Sequence, residues 1–202
     1  MRDGSVHLIR HSISTGTERR WLYGQTDLPL AESGLRLLDA LCAAGIYPPA
    51  EGRLLVSSGM LRADQTLRAI YGDVPFAVDA GLREMNLGAY ECKTDAELQS
   101  DPAYRRWVAD PTGDMPAPGG ESVNGFADRV NAAFDRLLLR ADRDIIAVCH
   151  GGVIASILFR HLRENGSFYT WLPAPARGFT LAVRSGRIDG VSPITEQKEV
   201  QI

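Results

Sequence analysis

The sequence predicts an α/β fold of 202 residues: one domain, with a mostly parallel sheet and helices on both faces. Three observations predict it. Strand-like and helix-like segments alternate along the chain. The strand-like ones, among them VHLIR, LLVS and IIAVC, are apolar nearly throughout instead of alternating with polar residues, which is the pattern of a sheet covered on both faces. No internal repeat or break in composition marks a linker between domains.

Val6 to Arg10 reads as the first strand, followed by a loop rich in Ser, Thr and Gly. Leu30 to Leu41 places leucines at helical spacing (Leu30, Leu37, Leu38, Leu41), with Gly45 as the stop. Leu54 to Ser57 is a second strand. Leu61, Gln65 and Ala69 then mark a helix that ends near Gly72, and Phe76 and Val78 alternate as a short third strand. From Asp79 to Glu121 the chain is punctuated by Pro102, Pro111, Pro116 and Pro118 and reads as irregular. Ser122 to Leu139 is a strongly amphipathic helix. Ile145 to Cys149 is a very apolar strand that runs into Gly151-Gly152 and a helix to about Leu162. Phe179 to Val183 and Ile188 to Val191 read as a hairpin through Ser185-Gly186.

Composition narrows the function. A net charge of −3 and a pI near 5.8 argue against nucleic acid or an anionic membrane as partner, so any bound anion must meet a local basic cluster. Only Lys93 and Lys198 among the 22 basic residues are lysines, and G-x-x-x-x-G-K-[ST] is absent. Three cysteines far apart (Cys42, Cys92, Cys149) suggest a reducing compartment. No apolar run is long enough for a signal peptide or membrane span, so the expected location is cytoplasmic.

In a parallel sheet, ligands bind beyond the carboxyl ends of the strands. There the first strand delivers Arg10-His11, the second Ser57-Ser58 with Arg62 a turn later, and the late apolar strand His150 followed by Gly151-Gly152. The irregular stretch offers Glu84, with Asp79, Glu91 and Glu121 as other acids. Taken singly, each residue is ordinary: a polar strand end, a solvated helix arginine, a surface carboxylate, a tight turn. Together they suit phosphate chemistry. Paired arginines match phosphate oxygens two at a time, and a helix N-terminus adds backbone donors. A neutral histidine attacks phosphorus, and a carboxylic acid protonates the departing alkoxide.

Two rivals fail on the letters. His7 and His11 stand four apart, as in a helical zinc pair, but the segment reads as strand and H-E-x-x-H is not formed. Cys149 precedes His-Gly-Gly, but a C-x-x-x-x-x-R loop needs arginine where Ala155 stands.

At this point the sequence resembles the histidine phosphatase superfamily, phosphoglycerate mutase-like branch, over nearly its whole length. The resemblance is carried by LIRHSIS, GQTDLPLAESG, SSGMLRADQT, LREMNLGAYE, PGGES and CHGG, in the family's order. It implies a three-layer α/β/α sandwich with a mixed sheet, and no metal or cofactor. It implies that His11 becomes phosphorylated, that Arg10, Arg62 and His150 hold the phosphoryl oxygens, and that Glu84 donates the proton and later activates water. Ser12, Thr17 and Gly151 would add donors to the phosphate. Four positions depart from the pattern: Ser12 for glycine, Thr17 for asparagine, Tyr90 for tryptophan and Cys92 for glycine. They are expected to affect rate more than kind. The expected function is hydrolysis of a small phosphorylated metabolite, with α-ribazole phosphatase-type members of this length similar in PGGES. A mutase and a non-catalytic phosphometabolite-binding protein are the alternatives. Met85-Asn86-Leu87-Gly88 after Glu84 looks like the phosphatase form.

Overall fold

A computed structural model describes residues 3–140, 144–162 and 167–195. The apolar runs become the central sheet. Its strands are β1 (Gly4–Arg10), β3 (Leu54–Ser57), β4 (Ala77–Val78), β6 (Ile145–Cys149), β7 (Gly178–Arg184) and β8 (Arg187–Pro193), in the order β4-β3-β6-β1-β7-β8. The four strands from β4 to β1 run parallel, whereas β7 and β8 are antiparallel, so the sheet is mixed. β6, apolar at all five positions and wholly buried, occupies the interior of the sheet.

The period of two along β6 sorts its side chains into two cores. Ile145, Ala147 and Cys149 pack under α6 (Val123–Arg140) and α7 (Gly151–His161), with Phe126, Val130, Phe134, Ile154 and Leu158. Ile146 and Val148 face α2 (Glu32–Ala43) and α3 (Leu61–Tyr71), with Leu38, Leu41 and Leu67. Helices therefore cover both faces. Each fully buried Leu, Ile or Phe contributes about 1.5–3 kcal/mol relative to exposure, so a register slip that turned one face of β6 to the wrong core is strongly opposed.

The helix expected from Leu30 begins two residues later, because Leu30 forms an isolated bridge with Ser14 instead of a helical turn. The loop after β1 contains a short helix, α1 (Thr15–Glu18), whose first turn is capped by the Ser14 hydroxyl accepting from the Thr17 amide. The stretch from 79 to 121 also holds short elements that periodicity does not show. β5 (Lys93–Thr94) pairs with β2 (Trp21–Leu22) in a second, two-stranded sheet. A Thr94/Glu97 capping box starts α4 (Asp95–Leu98), and Asp101 with Pro102 starts α5 (Pro102–Val108). These elements share a small core of Tyr90, Leu98, Tyr104 and Ala117. Tyr90, Tyr104 and Trp107 stack at centroid distances of 5.1–5.9 Å. No helix among the described residues is long and apolar enough to cross a membrane.

Candidate active site

Strand register builds the site. Arg10 is opposite Cys149 in the parallel β1–β6 pair, and the His11 amide donates to the Cys149 carbonyl at 2.9 Å. On the other side of β6, the Ser58 amide donates to Val148 O at 3.2 Å. Residues 11, 150 and 58 therefore leave three adjacent strands at one level. The rings of His11 and His150 sit edge to face with centroids 5.2 Å apart.

His11 is oriented by its own backbone. Its Nδ1 lies 2.6 Å from Ser12 O, and a carbonyl only accepts, so Nδ1 carries the proton and donates. The lone pair is then on Nε2, which has no hydrogen-bond partner among the described residues. Burial, followed by the Arg62 charge and a smaller contribution from Arg10, holds the ring well below the ordinary histidine pKa, against the pull of the Ser12 bond. His150 is likewise held well below it by burial, then by Arg62, His11 and Arg10. Its Nε2 shares a 2.9 Å hydrogen bond with Ser58 Oγ. Both imidazoles are neutral at pH 7.

Arg62 lies in the first turn of α3 and is wholly buried. Nη1 donates to Thr26 O at 3.0 Å, Nη2 donates to Gly24 O, and the Tyr23 ring lies under Cζ at 4.9 Å. Arg10 donates from Nη1 to Pro173 O at 2.7 Å. These carbonyls fix both guanidinium planes without neutralising them. Of the buried nitrogens without a partner among the described residues, three belong to this group of side chains: Arg10 Nε, Arg62 Nε and His150 Nδ1. Buried donors are nearly always satisfied, and three orphans around one free imidazole nitrogen fit an anion with several acceptor oxygens.

Gly151 and Gly152 open α7 and are cut to fit. A Cβ on Gly151 would lie 3.2 Å from Arg10 Nε, and one on Gly152 would lie 2.5 Å from Glu84 Oε1. Through this gap Glu84 Oε2 accepts from the Gly152 amide at 3.0 Å, while Oε1 accepts from the Met85 amide at 3.0 Å. The structure thus brings Arg10, His11, Arg62, Glu84, His150 and Gly151 together.

Ser12 and Thr17 differ from expectation. The Ser12 hydroxyl is fully buried and donates to Gly34 O at 2.8 Å, and its amide donates to Thr66 Oγ1 at 3.0 Å. With both donors engaged elsewhere, Ser12 offers none to an anion beside His11. The Thr17 hydroxyl joins Ser14 and Tyr23 in a trio at 2.6–3.2 Å, so its link to the site runs through Tyr23 beneath Arg62.

The other acids have structural partners. Glu91 binds the Gln25, Thr26 and Leu87 amides and the Thr26 hydroxyl. Burial raises its pKa, but those bonds outweigh it and hold the carboxyl below its usual value. Glu121 pairs with Arg129 through both oxygens, at 2.7 and 2.8 Å. Asp79 caps the turn at Gly81. His7 bonds Thr180 Oγ1 within the sheet, and burial pushes the Cys149 thiol far up, leaving it protonated.

Three contributors were not legible as such: Ser58 as the partner of His150, Tyr23 beneath Arg62, and Arg129. Arg129 donates to the Gly81, Arg83 and Glu84 carbonyls at 3.0–3.3 Å while holding Glu121, so one guanidinium ties the Glu84 loop to α6.

Known proteins resemble this chain in sequence and in fold. A Yersinia pestis protein named "Probable phosphoglycerate mutase GpmB" is 29% identical over 157 residues, 76% of this chain and 72% of that one. Among solved structures, Bacillus stearothermophilus YhfR is 25% identical with a TM-score of 0.77, over 92% of this chain and 94% of its own. The α-ribazole phosphatase from Shigella flexneri shares the fold at 22% identity and a TM-score of 0.78, over 91% and 92% of the two chains. The family model for the histidine phosphatase superfamily (branch 1) matches residues 6–184, from β1, which leads into His11, to the end of β7. With that span matched and the two histidines and two arginines gathered at the sheet edge, the chain belongs to the histidine phosphatase superfamily.

Proposed function

We propose that the chain is a phosphomonoester hydrolase acting on a small phosphorylated metabolite through a phosphohistidine on His11. The observation that carries the reading is the set of three orphaned buried nitrogens, on Arg10, Arg62 and His150, beside the unshared lone pair of His11 Nε2. In the first step that lone pair forms the N–P bond as the P–O bond to the alcohol breaks. Glu84 delivers a proton to the departing oxygen. In the second step water adds to phosphorus, Glu84 takes the water's proton, and the N–P electron pair returns to His11. Arg10 and Arg62 supply fixed positive charge as the equatorial oxygens gain charge, work that costs no reorganisation at the moment of reaction.

Rapid quench with phosphate-labelled ester should trap an acid-labile, base-stable phosphoprotein. His11→Ala should abolish it and lower turnover by about three orders of magnitude or more, the scale set by removal of a nucleophile. Near-normal turnover in that variant sinks the mechanism. Vanadate should inhibit as a trigonal-bipyramidal mimic, and chelators should leave the rate unchanged. The mutase reading is favoured by the name of the Yersinia relative. It requires the phosphoryl group to pass to a second alcohol, so label recovered only as inorganic phosphate decides for hydrolysis.

A further inference from the structure

An open cleft of about 920 Å³ begins at Glu84 and Gly152 and runs outward between α6 and α7. Glu84 protonates the leaving oxygen in the reading above, so the group attached to that oxygen projects toward the space that Glu84 lines. Aromatic rings wall the cleft: Phe126, Phe159, Phe168 and Tyr169, the last 79% exposed. The exposed Tyr169 and half-buried Phe168 offer planar apolar surface against which a ring can lie. The charged wall is one-sided. Asp114 and Asp128 line the cleft, and the only cation among its lining residues, Arg160, has its Nη2 3.7 Å from Asp135 Oδ2. Among the described lining residues, an anionic substituent would meet Asp114 and Asp128 against the single cation Arg160, which is shared with Asp135.

Asn131 adds the polar requirement. Its side chain is 3% exposed, and Nδ2 donates to Ala127 O at 2.7 Å and to Ser156 Oγ at 3.3 Å. The carbonyl of Ala127 can only accept, which fixes the orientation of the amide. Oδ1 is left buried without a partner on a residue that lines the cleft. It calls for a hydroxyl or N–H from a ligand.

We propose that this cleft binds the alcohol half of the substrate, and that this half is a ring-bearing, carboxylate-free group with a hydrogen-bond donor for Asn131. The inference rests on the phosphatase reading and deepens it to a substrate class: monophosphates of neutral or cationic cyclic alcohols, not phosphoglycerates or bisphosphates.

The test compares kcat/KM for a nucleoside 5′-monophosphate, glycerol 2-phosphate and 3-phosphoglycerate. The nucleoside ester should lead and 3-phosphoglycerate should trail, each step about tenfold, the scale of one gained or lost contact in a pocket. Asp128 is exposed, so Asp128→Lys is compatible with folding. It should raise the ratio of 3-phosphoglycerate to nucleoside ester about tenfold, and Tyr169→Ala should lower the ratio of nucleoside to glycerol ester. Equal or better turnover of 3-phosphoglycerate by the wild type overturns the proposal, as do unchanged ratios in both variants. If no ester is turned over, p-nitrophenyl phosphate included, the hydrolase reading falls by itself. Calorimetric binding of the same three esters then decides on the cleft: the same order of affinity supports it, and a reversed or flat order overturns it.

Discussion

One methyl group separates Gly152 from alanine, and the structure shows where it would go. The added carbon would stand 2.5 Å from Glu84 Oε1 and 3.1 Å from Cδ, contact with the tip of a movable side chain and not with backbone. The carboxylate can swing away, so the fold has little to lose. Alanine in a helical turn is favoured over glycine by roughly 0.5–1 kcal/mol. Gly152→Ala should therefore keep or slightly raise the melting temperature while displacing the acid. A misplacement near 1 Å at a reacting group costs about 10² in rate. Because a nitrophenolate departs with little help and an alkoxide does not, the loss should be larger on alkyl than on aryl phosphates. Equal loss on both, or a clear drop in melting temperature, removes Glu84 from the acid role or Gly152 from its cradle. Legibility at this scale was uneven. His11, His150, Arg10 and Arg62 were readable because strand ends and an arginine a turn beyond a strand have few other uses when they coincide. The fates of Ser12 and Thr17 were not, because a hydroxyl's partner is set by which backbone carbonyl or neighbouring hydroxyl the fold brings near, here Gly34 and Tyr23.

Among the elements, α6 does more than cover the sheet. Its Arg129 spends Nε and one Nη2 proton on Glu121, and the rest on the carbonyls of Gly81, Arg83 and Glu84. Glu121, just before α6, in turn accepts from the Asn86 amide, so the loop that presents the acid is held on both sides of Glu84. Lysine carries the charge but only three protons on a single nitrogen and cannot reproduce the planar fork. Arg129→Lys should lower turnover of alkyl phosphates by about tenfold or more through a loosened Glu84, with a steeper dependence of rate on leaving-group acidity. An unchanged dependence marks Arg129 as packing only. No signal in the sequence pointed to this clamp, since its acceptors are carbonyls that any residue supplies. The same reason hid α1, α4, α5 and the β2–β5 ribbon. They are too short for periodicity, and rest on caps such as Ser14, Thr94 and Asp101 and on the Tyr90 cluster. The long elements, β6, α6 and α7, were legible because an uninterrupted apolar run or a full amphipathic stripe has only one place to go in a layered fold.

For the whole molecule, placing two imidazoles under two guanidinium groups has a consequence in stability. In the folded chain, burial and then the arginines keep His11 and His150 neutral well below the ordinary pKa of 6.5. Unfolded, both titrate near about 6.5. Below that pH the unfolded chain takes up protons that the folded one refuses, so stability is complete above about pH 6.5 and falls as pH drops, by about 1.4 kcal/mol per unit for each histidine. His7 and His161, also lowered chiefly by burial, act in the same direction. The carboxylates held below their usual values by hydrogen bonds, Glu91, Glu121 and Asp144, lose their contribution only below the ordinary carboxylate values of 4.5 and 3.8. The decline that sets in below pH 6.5 therefore belongs to the histidines, His11 and His150 foremost among them. Urea unfolding at pH 7, 6 and 5 should show this decline, with a shallower slope in His11→Gln. A bound phosphate ion favours the protonated imidazole, so saturating inorganic phosphate should flatten the slope in the wild type. Stability that is level from pH 7 to 5, or a slope indifferent to phosphate, would mean that the two histidines do not sit neutral at the anion site.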